Sequence, residues 1–489
     1  MNACADVPAK PLPRLNRRCG PRRSGLLIAL LLALAAPPAS SVGGDVIDRY
    51  VEAQLRELHL PGLSLAVVRQ GEVIKLQGYG YANLEHQVPA TPATVYEVGS
   101  VTKQFTAALV LLHVEDGAID LDDPLSRYFA DGPEFWNRIT VRHLLSHTGG
   151  IQNHVAVPGY LRNFGISLFF DPLPRPPELL ERLYALPREF EPGETWAYDN
   201  TGYLLLGLIL EQVSGRSFWA LLQERILGPL GMTASRSTDP RPLVPHRAAG
   251  YGRANGVFEN RAILWPHVAS SAGSLSSTVE DLVKWDAALA DDRLLRAESR
   301  DLLWTPVPLR DGAVAPVDYG FGWFIDTDRG HRIVQHTGGT PGFSSAVYRF
   351  LDDELSVLIL SNLSDRILDT LAIDIAGLVE PALQRPEKGD DPDPALTQRL
   401  RAVFEGLLRG EHDPAEFTPA MRRYLATATG TGIWSWFVEH GPVTSFGFSS
   451  AEPRGDDRVW RYAVGLGGSR YWFTFRLTAD DRVAQIVWW

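Results

Sequence analysis

The order of strand and helix signals constrains this chain more than its composition does. Leu63–Arg69 reads as a strand, Gln70-Gly71 as a tight turn, and Val73–Tyr81 as the returning strand. Strand patterns return at Tyr319–Phe324, His331–His336, Ser345–Phe350 and Leu355–Leu360. The stretch between is mostly helical. Ser100–Glu115 places Phe105, Leu109 and Leu112 at helical spacing and ends near Gly117. Val141–Ser146, Thr201–Ser214 and Phe218–Ile226 follow, with proline-rich connections such as the one over 171–177. Strand, helix, then strand within one chain predicts a split α/β lobe with a helical lobe inserted into it.

The two ends read differently. Arg14, Arg17, Arg18, Arg22 and Arg23 precede an uninterrupted apolar run, Leu26–Ala36, and small residues follow at Ala39-Ser40-Ser41. This is the layout of a secretory signal peptide over 1–41. The run is shorter than the ~20 residues a spanning helix needs. The expectation is therefore a secreted or periplasmic protein with no stable membrane span after cleavage, an uncleaved N-terminal anchor being the alternative. Both cysteines, Cys4 and Cys19, lie in this segment. The mature chain would hold no disulfide, thiol nucleophile or cysteine metal site.

At 489 residues the chain exceeds one usual domain. Residues 385–395, rich in Pro, Asp and Gly, predict a linker between a main domain over 45–384 and a small α+β domain over 396–489. The latter shows one amphipathic helix, Leu396–Leu408, then strands Val443–Phe448, Val459–Gly465, Tyr471–Leu477 and Val483–Trp488. A hydrophobic content of 45 % supports a sizeable core. The net charge of −11, with no basic stripe, argues against a nucleic-acid partner.

Ser100-Val-Thr-Lys103 carries the chemistry. At a helix start, positions i and i+3 share a face, so the amine sits beside the hydroxyl. The helix dipole and burial disfavour a charged lysine there, and a neutral amine can take the serine proton. The lysines are Lys10, Lys75, Lys103, Lys284 and Lys388, and of these only Lys103 has a serine three residues before it. The structural alternative is an N-capping serine with a surface lysine.

Tyr198-Asp199-Asn200 supplies a phenol that, beside a cation, would ionise below its usual ~10 and relay a proton. Asn200 would bind a substrate amide or the lysine. Tyr81-Ala-Asn83 repeats the pattern but lies in the early hairpin, before the nucleophile. His336-Thr337-Gly338-Gly339 follows a strand, and its glycines would let a substrate carbonyl pair along that edge. The amides of Ser100 and Gly339 would then form an oxyanion hole. His336, Thr337 and Gly338 are the matching substrate-binding candidates. His147-Thr148-Gly149-Gly150 repeats this motif after a helix and reads as a structural cap. His143 and His147 lack the glutamate of a His-Glu-x-x-His zinc site, so neither a metal nor another cofactor is expected.

The order Ser-x-x-Lys, Tyr-x-Asn, His-Thr-Gly resembles the serine β-lactamase-like superfamily, which includes class C β-lactamases, D-alanyl-D-alanine carboxypeptidases, D-aminopeptidases and related esterases. The likeness runs from about Ile47 to Leu383 and includes 60–66, 144–150, 319–323 and 338–345. It implies a two-lobed α/β (α+β) fold, an antiparallel sheet flanked by helices, with the site between the lobes. It also implies acyl transfer through Ser100 to water, from a small-molecule, peptide or ester substrate. A D-alanyl-peptidase-like or esterase-like hydrolase is the leading expectation. A penicillin-binding sensor with little turnover and a true class C-like β-lactamase are the alternatives. Histidine at 336, where many β-lactamases carry lysine, resembles the carboxypeptidase-like and aminopeptidase-like branches. A partial positive charge there would meet a substrate carboxylate. The tail is similar to small appended domains of cystatin-like or nuclear-transport-factor-like shape.

Overall fold

A computed structural model describes residues 42–156, 176–261, 266–364 and 368–488. The leader expected over 1–41 lies outside the described residues.

Seven strands make the main sheet: β1 (Gly62–Arg69), β2 (Glu72–Asn83), β3 (Val88–Pro89), β4 (Phe324–Asp328), β5 (His331–Thr340), β6 (Phe343–Phe350) and β7 (Leu355–Ser361). Their order is β3-β2-β1-β7-β6-β5-β4, and every pairing is antiparallel. The first strand and the last meet side by side, Leu63 opposite Ser361 and Val67 opposite Val357. The split lobe read from the sequence is thus closed by pairing its two halves.

Period-2 alternation gives the sheet two buried faces. Leu63, Leu65 and Val67 of β1, with Val357 and Ile359 of β7, pack under α1 (Val42–Glu57) and α6 (Asp369–Val379). Ala66, Leu358 and Leu360 point to the other side, where α2 (Thr102–Glu115) and α5 (Val279–Ala288) lie. Strands β6 and β7 are buried along their whole length, as a two-sided cover requires.

The inserted lobe is built on α2 and α3 (Asn200–Ser214), crossed by α4 (Pro266–Gly273). Every residue of α2 from Thr102 to His113 is buried, so this helix is the axis of the protein and not a surface helix. Asp199 caps α3 by accepting from the Gly202 amide. The strand expected over Tyr319–Phe324 begins only at Phe324. The chain turns back before it, and the Gly320 amide donates to Trp323 O at 2.9 Å.

The C-terminal part holds α7 (Pro394–Leu408), α8 (Pro419–Ala426) and α9 (Ala428–Glu439). A four-stranded antiparallel meander follows, β8 (Val443–Arg454), β9 (Asp457–Leu466), β10 (Ser469–Leu477) and β11 (Val483–Trp488). Its core of Leu400, Phe404, Phe437, Phe473 and Phe475 runs without a break into Trp196, Val317 and Tyr319 of the main lobe. Val42–Trp489 forms one compact unit. Arg385, which the sequence places in a linker, is buried and pairs with Asp328 at 2.6 Å. Arg461 of β9 reaches the same carboxylate at 3.4 Å, Asp326 at 3.7 Å and Glu452 at 2.8 Å. Burial opposes the charge on Asp328, but Arg385 and Arg461 outweigh it and hold the carboxyl far below its usual range. Among the described residues no helix is long and apolar enough to cross a membrane.

Candidate active site

Ser100 sits in a 3-10 turn, Gly99–Val101, that leads directly into α2. The turn is pressed against β5. Gly99 has φ +53°, and a Cβ there would lie 2.7 Å from Gly339 N. A Cβ on Gly338 would lie 2.0 Å from Val98 O and 2.9 Å from Ser100 N. These two glycines let the strand edge and the Ser100 turn share the same space. The close neighbour of Gly338 is therefore the chain's own backbone. The open edge next to it, with Ser100 and Gly339, borders a cavity.

Lys103 is completely buried. Its Nζ lies 3.2 Å from Ser100 Oγ, 2.8 Å from Asn200 Oδ1 and 2.7 Å from Ala272 O. Burial holds this amine well below its ordinary pKa, and Asp199 offsets only part of that shift. An uncharged amine has two N–H donors and one lone pair. Asn200 Oδ1 and Ala272 O are acceptors and take both donors. In that form the lone pair would face the Ser100 hydroxyl, whereas an ammonium donates to Ser100 Oγ.

Tyr198 borders the same cavity, with Lys103 Nζ 4.8 Å from its ring centre. Its hydroxyl is buried and makes no hydrogen bond of regular geometry among the described residues, although it lies close enough to Ser100 to interact with it. Burial pushes the phenol above its usual pKa, and interaction with Ser100 offsets part of the rise. The sequence expectation of an ionised phenol beside a fixed cation is corrected here. Burial shifts Lys103 away from the ammonium form and Tyr198 away from the phenolate. Asn200, the first residue of α3, is held by its amide donating to Asn153 Oδ1 at 3.1 Å.

His336 differs most from expectation. It is buried, Nδ1 lies 2.6 Å from Thr337 O, and Nε2 lies 3.0 Å from the Tyr319 hydroxyl. The carbonyl can only accept, so Nδ1 carries the proton and the tyrosine donates to Nε2. Burial pushes its pKa well below the ordinary value. The partial positive charge expected to meet a substrate carboxylate is absent, because both ring nitrogens are engaged by protein groups.

The cavity has a volume of about 280 Å³. Ser100, Tyr198, His336, Thr337, Gly338 and Gly339 all line it. Lys103 and Asn200 lie behind Ser100. Tyr81 is 43 % exposed on the far hairpin, which separates the second Tyr-x-Asn from the site. His147 is buried beneath Tyr198, ring centres 4.5 Å apart, and takes the Asp199 amide on Nδ1 at 3.2 Å. It supports the loop that carries Tyr198 and does not line the cavity. Among the described residues no cluster of His, Cys, Asp or Glu is arranged to hold a metal ion.

Several lining residues carry no sequence signal of function. Trp196, Val317 and Phe324 form an apolar wall, and Tyr424, Thr429, Ile433, Val487 and Trp488 reach the cavity from the C-terminal part. Ala272 contributes only its carbonyl.

Penicillin-binding protein 4* of Bacillus subtilis strain 168 is 29 % identical over 324 residues, 63 % of this chain and 69 % of that protein. The chain spans 64 to 69 % of the length of the curated relatives it matches. The octameric penicillin-binding protein homologue from Pyrococcus abyssi shares the fold over 90 % of this chain and 94 % of its own, with a TM-score of 0.58 at 23 % identity. A D-stereospecific amidohydrolase from a Streptomyces species is 28 % identical, with a TM-score of 0.55 over 65 % of this chain and 94 % of its own. The family model for Beta-lactamase matches residues 47–379. On that match, the chain belongs to the Beta-lactamase family.

Proposed function

We propose that the protein is a serine hydrolase that works through an acyl-enzyme on Ser100. The observation that carries this reading is the completely buried Lys103 amine held 3.2 Å from Ser100 Oγ, in surroundings that favour its uncharged form. Lys103 takes the hydroxyl proton as Ser100 Oγ bonds to the acyl carbon. The oxyanion that forms sits between the amides of Ser100 and Gly339, a contribution of about 3–4 kcal/mol per donor. Tyr198, whose burial favours the neutral phenol, gives its proton to the departing oxygen or nitrogen and recovers one from the Lys103 ammonium. Water then releases the acid by the same relay in reverse.

The lining favours a neutral ester or amide with a small apolar acyl group. It contains no lysine or arginine, its carboxyl, Asp369, accepts from the Tyr348 hydroxyl, burial favours uncharged His336, and the volume lies just below the usual range for ligand pockets. Carboxylate-terminated peptides and β-lactams lack a counter-charge there. The likeness to a D-stereospecific amidohydrolase supports an amide bond and a D-configured acyl group. The leader pattern over 1–41 supports a secreted or periplasmic site of action. The test is a panel of D- and L-amino acid amides, p-nitrophenyl esters and a chromogenic cephalosporin. Turnover of the neutral substrates is expected. Stable acylation by the cephalosporin without turnover of any substrate would instead support a penicillin-binding sensor.

A further inference from the structure

The family match ends at residue 379, yet five residues beyond it line the cavity that holds Ser100. We infer that the C-terminal part is a specificity element, in which Ile433 and Trp488 form the wall that limits the length of the acyl group. The inference rests on the acyl-enzyme reading above and adds the substrate class that this site accepts.

The wall is fixed relative to the catalytic residues. Thr429 Oγ1, near the start of α9, donates to Tyr198 O at 2.8 Å, and the Ala428 amide donates to Glu189 Oε1 at 2.9 Å. These bonds set the position of α9 against the loop that presents Tyr198. Thr429, Ile433 and Phe437 follow at i, i+4 and i+8, so they share one face of the helix. The face that grips the Tyr198 carbonyl therefore also brings Ile433 to the cavity. Phe437 is buried and meets the Trp488 ring edge-on, centres 5.3 Å apart, which holds Trp488 beside Ile433. Phe324, which also lines the cavity, stacks parallel to Tyr198 with ring centres 6.2 Å apart. Strand β4, which Phe324 begins, is tied to the C-terminal part through Asp326, Asp328 and Arg461. Both parts of the lining are thus anchored to the same C-terminal part. A wall tied at several points does not swing aside for a longer chain.

The experiment measures kcat/KM for p-nitrophenyl esters from acetate to decanoate, on the full chain and on Ile433→Ala, Trp488→Ala and Ile433→Trp. The wild type is expected to prefer the shortest acyl groups. Each alanine variant is expected to raise the octanoate-to-acetate ratio at least tenfold, and Ile433→Trp to lower it. The opposed variants keep the test sharp, because general damage to the fold lowers all esters together and leaves the ratio unmoved. Wild-type hydrolysis with a ratio unchanged across the variants overturns the inference and leaves the acyl-enzyme reading intact. A wild type that cleaves none of the esters and takes no label on Ser100 from an alkyl fluorophosphonate overturns both.

Discussion

The carboxamide oxygen of Asn200 lies 2.8 Å from the Lys103 amine, so the first residue of α3 bears directly on the protonation of the base carried by α2. Beside a neutral carboxamide burial dominates and holds the amine well below its ordinary pKa. Asn200→Asp would place a carboxylate at hydrogen-bond distance. An opposite charge favours the ammonium, so the Lys103 pKa rises and the active, uncharged fraction at neutral pH falls. The acid limb of the kcat/KM profile is expected to move to higher pH. Once the limb lies above neutrality, the rate at pH 7 falls about tenfold for every further pH unit the limb moves, and it recovers in alkali. An acid limb that stays in place would show that Lys103 is not the base.

Tyr198→Phe is expected to lower kcat on an amide by two decades or more, in the range of general-acid effects. The loss on a p-nitrophenyl ester is expected to be smaller, because nitrophenolate departs without a proton. Combined with Lys103→Ala the effects should not add, since both residues serve one relay. Tyr81→Phe, on the exposed hairpin, should leave rates within a few-fold.

His336 is expected to titrate well below the range from about pH 5 to 8 in which an unperturbed histidine titrates. Its buried ring is held between Thr337 O and the Tyr319 hydroxyl. The NMR shift of its Cε1 proton should therefore stay constant across that range. The rate ratio of a carboxylate-bearing to a neutral substrate should show no inflection from His336. A titration near its unperturbed pKa would return the residue to the carboxylate-binding role that its sequence position suggests.

The proximity of Ser100 and Lys103 was legible because an i, i+3 pair at a helix start fixes side-chain proximity without tertiary information. Chain order separated Tyr198 from Tyr81. The glycines after His336 pointed correctly to a close approach, although the backbone that comes close is the Ser100 turn itself. The remainder depended on distant contacts. The charge of His336 and of Tyr198 is set by burial, which no local pattern reports. The carbonyl of Ala272, which takes one Lys103 donor, has no side-chain signature. The wall of Ile433 and Trp488 looked like ordinary core residues of a separate domain, since amphipathic patterns do not say which core they complete.

The contact between the C-terminal part and the main lobe should be costly to break. Arg461→Met leaves Asp326 and Asp328 buried with one arginine fewer, and such losses run to about 3–5 kcal/mol. Asp328 has a depressed pKa in the folded state, so its contribution is present above its unfolded value of about 3.9 and fades as pH falls through the lower folded value. The stability difference between wild type and variant, from urea unfolding, should be full at neutral pH and shrink in acid. A difference that does not change with pH would place the energy in packing instead of in the ion cluster.

The most direct test of the account is intact-protein and peptide mass spectrometry after rapid acid quench of the protein turning over a short-chain p-nitrophenyl ester, with Ser100→Ala in parallel. The wild type is expected to carry one acyl group, mapped to the peptide containing Ser100. The variant, folded as judged by circular dichroism, is expected to carry none and to release no nitrophenol above background. Turnover by Ser100→Ala at a tenth of the wild-type rate, or an adduct mapped elsewhere, would contradict the assignment of Ser100 as the nucleophile.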